Sequence, residues 1–547
     1  MKKVLTIVSR QSKLALWQAN HLKDSLQALH PHCTIHILGI TTEGDKAISA
    51  NLSALGGKGV FVKELEEALL AGTADVAIHC VKDMPQLLPP GLIMPVILAR
   101  EDVKDVLLTQ NKVSLIDLPV GAKVGTSSIR RSAQLKFLRP DLQILPLRGN
   151  VDTRIKKLKA GEYDAIVLAA AGIHRLGLKD EISQYLAVED HLPAPGQGAL
   201  VLECRADDKQ TLKMITALND PKTAEEIQTE RGLTALLGGS CDLPLAALAV
   251  KKKDHIAFNA MVVSPSGKER ICAQAMGERT YVVRQVAQQL LQQNADTILS
   301  AVAKPLSGKR FLNTRPDEQG GHLSRRLHQL GAEVVNAPAL MINYFEADAL
   351  EAVVSSMHFD QVIVTSQNVL PAARKFLAAW SKKFQKPILT IGGPSAKRLQ
   401  AEGLLAQAAP APYNSEALLN LPVLKKVAGN SILILKGVGG LSRLAPELTK
   451  RGAQVFTFDC YERQAAAIEP TVFGQSYDAV IATSDAGLSA LMATCPGTSQ
   501  KDFLQSQLIV MSERTQKLAE SLHFIKTAWV TSVASDAGLI LSILENS

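Results

Sequence analysis

Short apolar runs that end in a glycine or a hydroxyl residue, each followed by an amphipathic stretch, recur along most of this chain. That alternation constrains the fold more than any other feature, because a strand–helix–strand repeat buries both faces of a sheet and places the helices outside it. Residues 4–9 predict a strand, and residues 12–29 a helix with Leu14, Leu16, Trp17, Leu22 and Leu26 on or near one face. Residues 34–40 alternate with period two. Residues 52–59 read as a glycine-rich loop, 60–70 as a second helix, and 76–78 and 165–168 as short buried strands. Pro193-Ala194-Pro195-Gly196-Gln197-Gly198 reads as a rigid turn at a crossing between domains. Residues 223–237 read as a helix stopped by Gly238-Gly239. A linker follows near residues 303–308, and the pattern restarts with a strand at 310–313. Residues 362–365, 388–391, 432–435 and 479–483 predict further strands. Thr365-Ser366-Gln367 and Thr483-Ser484-Asp485 each follow such a strand, which suggests two related lobes.

At 547 residues the chain exceeds one core, and three to five domains are expected. Its formal net charge of +8 favours acidic partners. Aromatic residues make up only 4 %, and the arginines sit singly or in pairs rather than in a basic run. That pattern suits a pocket for polycarboxylate small molecules better than a nucleic-acid surface. The first residues read as a strand rather than a signal peptide, and no run of 18 apolar residues predicts a membrane span. The seven cysteines include no CxxC pair, so neither a zinc site nor a disulfide framework is expected, and a reducing cytoplasm is.

Four segments carry chemistry. Val124-Gly125-Thr126-Ser127-Ser128-Ile129-Arg130-Arg131 reads as strand, glycine turn, hydroxyl cluster and helix start, a pattern whose backbone N–H groups and guanidinium forks suit anions. Arg10, Arg148, Arg154 and Arg175 recur near predicted strand ends, where open α/β sheets bind ligands. His79-Cys80-Val81-Lys82-Asp83-Met84-Pro85 delivers a Lys-Asp step from a buried strand. An ionised Asp83 there could stabilise a developing cation. Leu237-Gly238-Gly239-Ser240-Cys241 follows a helix with a glycine turn, which can present the Cys241 thiol as a nucleophile, although a lone cysteine is more often buried. Gly56-Gly57-Lys58-Gly59 lacks the hydroxyl of a phosphate loop, and Gly196-Gln197-Gly198 lacks the setting of a dinucleotide fingerprint.

In this order the segments resemble porphobilinogen deaminase (hydroxymethylbilane synthase), from Arg10-Gln11-Ser12-Lys13-Leu14-Ala15 to Gly238-Gly239-Ser240-Cys241-Asp242-Leu243-Pro244, over residues 1 to about 305. The resemblance implies a dipyrromethane cofactor in thioether linkage to Cys241, a primer that stays behind when the product leaves. Four porphobilinogen units are added in turn, each losing ammonia, and hydrolysis frees hydroxymethylbilane. Asp83 is the implied catalytic carboxylate. Lys82, Asp83, Thr126, Ser127, Ser128, Arg130, Arg131 and Arg148 are implied to bind the cofactor, and Arg10, Ser12, Lys58, Arg154, Arg175 and Gln197 the substrate. Cys80 stands where the family usually has serine; a thiol donates a weaker hydrogen bond, and a second thiol near the site raises the prospect of side oxidation.

The second half is similar to uroporphyrinogen-III synthase at Asn313-Thr314-Arg315-Pro316, Val364-Thr365-Ser366-Gln367-Asn368, Gly392-Gly393-Pro394-Ser395-Ala396, Tyr461-Glu462-Arg463 and Thr483-Ser484. The resemblance implies closure of hydroxymethylbilane with inversion of one ring and loss of water, Tyr461 assisting, and Thr365, Ser366, Ser395, Thr483 and Ser484 holding carboxylates. Lys436 and Leu441 stand where arginines are common.

The expected architecture is an α/β multidomain fold. Two periplasmic-binding-protein-like lobes (1–98 with 195–218, and 99–194) precede a small α+β domain (219–305) that carries Cys241. Two α/β lobes of a synthase-like fold follow (308–342 with 464–547, and 343–463). The expected partners are porphobilinogen and hydroxymethylbilane, with no nucleic acid, membrane or metal, and the chain is expected to be a monomer. Two other readings stay open at this point: a deaminase with a degenerate second half, and a non-catalytic polycarboxylate-binding protein.

Overall fold

The computed structural model describes residues 2–547 apart from 43–61, 240–242, 355–356, 411–413 and 440–442. The chain forms two compact units. One comprises Met1–Arg310, Leu323–Val334 and Trp529–Ser547; the other comprises Phe311–His322 and Val335–Ala528. The fold is mixed α/β and multidomain.

The first unit opens with a five-stranded sheet in the spatial order Thr34–Ile40, Val4–Arg10, Val76–Cys80, Leu200–Arg205, Leu92–Ile97. The first three strands are parallel, and Leu200–Arg205 runs antiparallel to both neighbours. The period of two decides which face each residue serves. Leu5 and Ile7 point to one layer, where Leu22 and Leu26 of the helix Lys13–Leu29 cover them. Val8 points to the other, against Leu65 and Leu69 of Lys63–Leu70.

A second five-stranded sheet repeats the plan in the order Gln143–Leu145, Lys123–Gly125, Ala165–Ala169, Asp105–Thr109, Gln184–Tyr185. Again three strands are parallel and the fourth, Asp105–Thr109, is antiparallel to its neighbours. Each sheet therefore receives one strand from chain that has just left the other, which is why both are mixed and not purely parallel. The functional segments sit at strand ends: Arg10 closes one strand, Lys82 and Asp83 form a short 3-10 turn after another, and Thr126 follows a third.

Next, the antiparallel strands Leu245–Lys252, His255–Val263 and Arg270–Gly277 form a sheet. The helices Pro221–Leu236 and Arg279–Gln292 pack on it. Glu230, fully buried on the first of these helices, ties three segments together. It accepts two hydrogen bonds from Arg100 (2.7 and 3.0 Å), one from the Gly196 N–H (2.6 Å) and one from the Ala249 N–H (2.9 Å). The turn it grips needs its glycines. Gly198 has φ of +88°, and a Cβ there would lie 2.4 Å from the Glu101 carbonyl oxygen.

The second unit is built on a six-stranded sheet in the order Leu340–Tyr344, Gln454–Ala465, Ser431–Gly437, Gln361–Val364, Ile388–Thr390, Ala406–Ala408, parallel except for the first pair. Val362 and Val364 face one core layer and Ile363 the other, as expected of a strand buried on both sides. Phe311, Leu312 and Asn313 pair in parallel with Ala479–Ile481, which pairs in turn with Leu508–Val510. No helix among the described residues is long and apolar enough to cross a membrane.

Glu230→Gln should cost ~3 kcal/mol, because it removes the bidentate partner of the buried Arg100 guanidinium and leaves only Glu226 at 3.8 Å. Scanning calorimetry should show an earlier unfolding transition, and an unshifted one would mean that Glu230 does not bind these segments together.

Candidate functional site

Two cavities in the first unit share Lys82 and Asp83 in their walls. The smaller is lined by Arg10, Lys82, Arg131, Arg154 and Arg175, five cations set against the carboxylates of Asp83 and Asp152, with Ser12 and Cys80 beside them. The larger, about 550 Å³, adds Arg130, Arg231 and Ser128 to an apolar lining that includes Met84 and Leu243, and it reaches Gly238 and Gly239. Asp83 is exposed although the strand before it is buried, so its carboxylate is available to both spaces.

Neighbouring arginines reach different cavities because consecutive helical residues diverge by about 100°. Both lie in the first turn of Ile129–Leu138, whose N-cap Ser128 accepts a hydrogen bond from the Arg131 N–H (3.4 Å). A carboxylate that the motifs did not indicate holds them apart. Asp105, fully buried, pairs with Arg131 Nη2 (2.6 Å) and Nε (3.0 Å), and with Arg130 Nη2 (2.8 Å). His191 Nε2 lies 3.1 Å from the same carboxylate, and Gln197 Nε2 donates to it at 3.0 Å. Burial alone would raise the Asp105 pKa, but Arg130, Arg131 and His191 outweigh it and hold the carboxyl well below its ordinary value. Burial lowers the His191 pKa, with Asp105 opposing.

Other positions are held by main-chain groups. Arg175 Nη2 donates to the Gly198 carbonyl (2.7 Å) and its guanidinium lies 5.9 Å from the Trp17 ring centre. Arg154 Nε donates to the Gly149 carbonyl (2.7 Å). Burial, with Arg131 adding to it, pushes the Arg154 pKa down to about 10. Burial likewise lowers the Lys82 pKa, with Asp83 opposing. Such desolvated cations have much to gain from an anionic ligand.

The structure thus brings Arg10, Ser12, Lys82, Asp83, Arg131, Arg154 and Arg175 together around one cavity, and Ser128 and Arg130 around the other. Thr126, Ser127, Arg148 and Gln197 are not among the wall residues of either. Ser127 Oγ bonds the Leu147 carbonyl (2.9 Å), and Thr126 Oγ1 accepts from the Ser128 N–H (3.2 Å), so these hydroxyls shape the turn. Gln197 is fully buried, donating to Asp105 and to the Val103 carbonyl (2.7 Å). Lys58 and Cys241 lie outside the described residues. Cys80 Sγ accepts from Gln18 Nε2 (3.2 Å); burial, then Asp83, push its thiol up, which disfavours the thiolate that oxidation requires.

Sequence reasoning missed Asp105 and Arg231. Arg231 Nη2 donates to the Pro85 carbonyl (2.7 Å), and burial lowers its pKa. Its one sequence signal was its place two turns before Gly238-Gly239 on the helix Pro221–Leu236.

In the second unit Ser366 caps the short turn Gln367–Val369 and Ser484 caps the helix Asp485–Thr494, accepting from the Asn368 and Gly487 N–H groups (3.3 and 3.1 Å). Thr365 Oγ1 donates to the Leu435 carbonyl (3.2 Å), Thr483 lies just before Ser484, and Ser395 is buried in the first turn of Gly393–Ala401. Tyr461 is only 2 % exposed, packed in the core with its hydroxyl 3.1 Å from Arg463 Nη2. Its ring fills the space beside Gly437, where a Cβ would lie 2.6 Å from Cζ.

Cation-lined cavities around one exposed carboxylate define a site for a small polyanion, in a chain that also carries a second α/β unit. Family models match at residues 5–213 (porphobilinogen deaminase, dipyromethane cofactor binding domain), 224–292 (porphobilinogen deaminase, C-terminal domain) and 321–540 (uroporphyrinogen-III synthase HemD). The porphobilinogen deaminase of Thiobacillus denitrificans is 48 % identical over 301 residues, 54 % of this chain and 98 % of that protein. That of Chromobacterium violaceum is 46 % identical over 301 residues, 54 % of this chain and 97 % of that protein. Among solved structures, uroporphyrinogen III synthase from Thermus thermophilus (a mutant) aligns at 15 % identity and TM-score 0.32, over 44 % of this chain and 98 % of that one. The Helicobacter pylori synthetase aligns at 13 % and 0.31, over 44 % of this chain and all of that one. The chain belongs to the porphobilinogen deaminase family and carries a uroporphyrinogen-III synthase domain after the deaminase segment. Both parts belong to enzyme families of haem biosynthesis.

Asp105→Asn tests the buried hub. A carboxylate with a depressed folded pKa contributes stability above its unfolded value near 4, and that contribution is lost as pH falls toward the folded value. The variant should therefore be less stable than wild type by ~3 kcal/mol or more at pH 7, and the gap should narrow below about pH 4. A gap independent of pH would assign the loss to packing.

Proposed function

We propose that residues 1–305 assemble four porphobilinogen units into hydroxymethylbilane on a dipyrromethane thioether-linked to Cys241, and that residues 306–547 close that product to uroporphyrinogen III. The observation that carries the first step is the exposed Asp83 carboxylate between two cation-lined cavities. Each porphobilinogen brings two carboxylates, so every added ring needs cationic contacts. Arg10, Arg154 and Arg175 are assigned to incoming substrate, and Lys82, Arg130 and Arg131 to the rings already in place.

The residues present fit the dipyrromethane. The larger cavity combines cations with apolar surface, as a dipyrrole bearing carboxylates requires, and it ends at Gly238 and Gly239. Both glycines have positive φ, and a Cβ on Gly239 would lie 3.4 Å from Gln86 Cγ in the cavity wall. When bound, this group supplies the pyrrole carbon to which the first substrate is joined. Asp83 accepts hydrogen bonds from pyrrole N–H groups and stabilises the positive charge that develops as ammonia departs. Lys82 and the arginines hold carboxylates at fixed places, so that the reacting carbon of each new unit meets the same side chain.

For the synthase domain, the turns at Thr365-Ser366, Ser395 and Thr483-Ser484 are assigned to substrate carboxylates through hydroxyls and helix N-terminal N–H groups. Tyr461 is assigned to departure of the hydroxyl, a role that requires the strand end at Gly437 to uncover its ring. The domain division read from the sequence is proposed for both halves, with lobes of the periplasmic-binding-protein kind in the first, except that Leu323–Val334 and Trp529–Ser547 cluster with the first unit. The protein acts as a cytoplasmic monomer, and having the synthase on the same chain favours capture of hydroxymethylbilane before it closes unaided.

Asp83→Asn should lower kcat by ~10²–10³ yet keep the two-pyrrole mass addition on the intact chain, whereas Cys241→Ser should lose that addition. An Asp83→Asn protein of undiminished turnover would remove Asp83 from the chemistry. Incubation of the whole chain with porphobilinogen should give predominantly uroporphyrin isomer III after oxidation. Tyr461→Phe should shift the product toward isomer I; an unchanged ratio would leave Tyr461 a core residue, and isomer I from wild type would remove the synthase reading.

A further inference from the structure

The larger cavity draws part of its wall from beyond the segment that the deaminase models match. Leu544 and Ser547 line it together with Lys82, Asp83, Arg130 and Arg231. They come from the chain's last helix, Asp536–Asn546, and from the residue after it. The Thiobacillus denitrificans deaminase is 98 % covered by a 301-residue alignment, so it has no counterpart of that helix.

The helix is firmly seated within the first compact unit. Ser535 caps it, accepting from the Gly538 N–H (3.1 Å), and a Cβ on Gly538 would lie 2.0 Å from the Val533 carbonyl oxygen. Ile540, Leu541 and Ile543 are at most 1 % exposed. The helix packs on Arg279–Gln292 and Pro221–Leu236, the two helices of the small three-stranded domain. Glu545 forms a two-pronged pair with Arg284 on the former (2.6 and 2.8 Å). Half-buried Leu544 is thereby presented to the cavity as apolar surface facing the cations Arg130 and Arg231. A pyrrole ring with carboxylates on one edge matches that pairing of an apolar wall and guanidinium groups.

We propose that the last helix is a working wall of the deaminase site: Leu544 positions pyrrole rings in the larger cavity and limits how far the growing chain extends there. The inference rests on the deaminase reading of the two cavities. It makes Leu544 a substrate-positioning residue drawn from beyond the deaminase segment, and it makes the Arg284–Glu545 pair one fastening of that wall, beside the buried face of the helix.

Full-length Leu544→Trp fills part of the cavity. It is expected to raise the KM for porphobilinogen roughly tenfold with kcat changed less than about threefold. Mass spectrometry of the intact chain after brief exposure to porphobilinogen should show fewer pyrrole additions than on wild type. Glu545→Arg should also raise KM, and the exchange Arg284→Glu with Glu545→Arg should restore it, an outcome that a fold defect at position 544 cannot imitate. Wild-type KM and an unchanged ladder of additions in both Leu544→Trp and Glu545→Arg would overturn the inference and leave the deaminase reading intact. Absence of additions on the wild-type chain would overturn that reading and the inference with it.

Discussion

The Asp105 carboxylate is the contact on which the first site depends. Two buried guanidinium groups on adjacent residues repel each other, and each can take up more than one direction. A single buried anion between them resolves both problems: it neutralises part of the charge, and it fixes each arginine at a distinct angle. Because Gln197 and His191 bind the same carboxylate, the segment returning to the first sheet is registered against the helix that bears the arginines. The geometry of the anion site and the geometry of the chain crossing are therefore one set of hydrogen bonds.

Glu230 does for the small antiparallel domain what Asp105 does for the second sheet. It grips Arg100 on one crossing segment and Gly196 on the other, while sitting two turns before Gly238. Movement of that helix would be felt at the same turn that precedes Cys241. Both hubs are buried carboxylates with more than one cationic or N–H partner, which is the arrangement in which a buried charge is tolerated. Loss of Asp105 leaves Arg130 and Arg131, which line the cavities, without their shared buried carboxylate.

Much of the first site was legible because its residues lie at strand ends, and strand ends announce themselves by an apolar run followed by a turn. Arg10, Lys82, Asp83, Arg131 and Arg175 all follow such runs within a few positions. The hubs were not legible. Asp105 sits in Glu101-Asp102-Val103-Lys104-Asp105, a stretch that looks like solvated charge, and only pairing between Asp105 and Ala169 in the second sheet buries it. Gln197 was expected to bind substrate through the resemblance alone, whereas Gly196 and Gly198 here allow close approach of backbone to Val81 and Glu101 and Gln197 is buried. The parallel pattern was readable, but the antiparallel strand in each sheet depends on where the chain crosses, which no local period encodes. In the second unit the hydroxyl turns after buried strands were visible, while the burial of Tyr461 was not, since it depends on Gly437 across a bulged strand pair.

The two halves deal with the same kind of ligand by different physics, and the difference suits their order of use. On the proposed reading, the deaminase must retain a polyanion through repeated additions, so desolvated cations line its walls and make dissociation costly. The synthase must take up one chain, close it and let it go. Its proposed contacts are Ser366 and Ser484, whose oxygens already accept from backbone N–H groups at helix starts and whose protons can still point to a carboxylate. Neutral donors of this kind bind carboxylates more weakly than guanidinium groups do. A product held loosely by such turns leaves readily, whereas the same turns in the first half would shed the growing chain before it was complete.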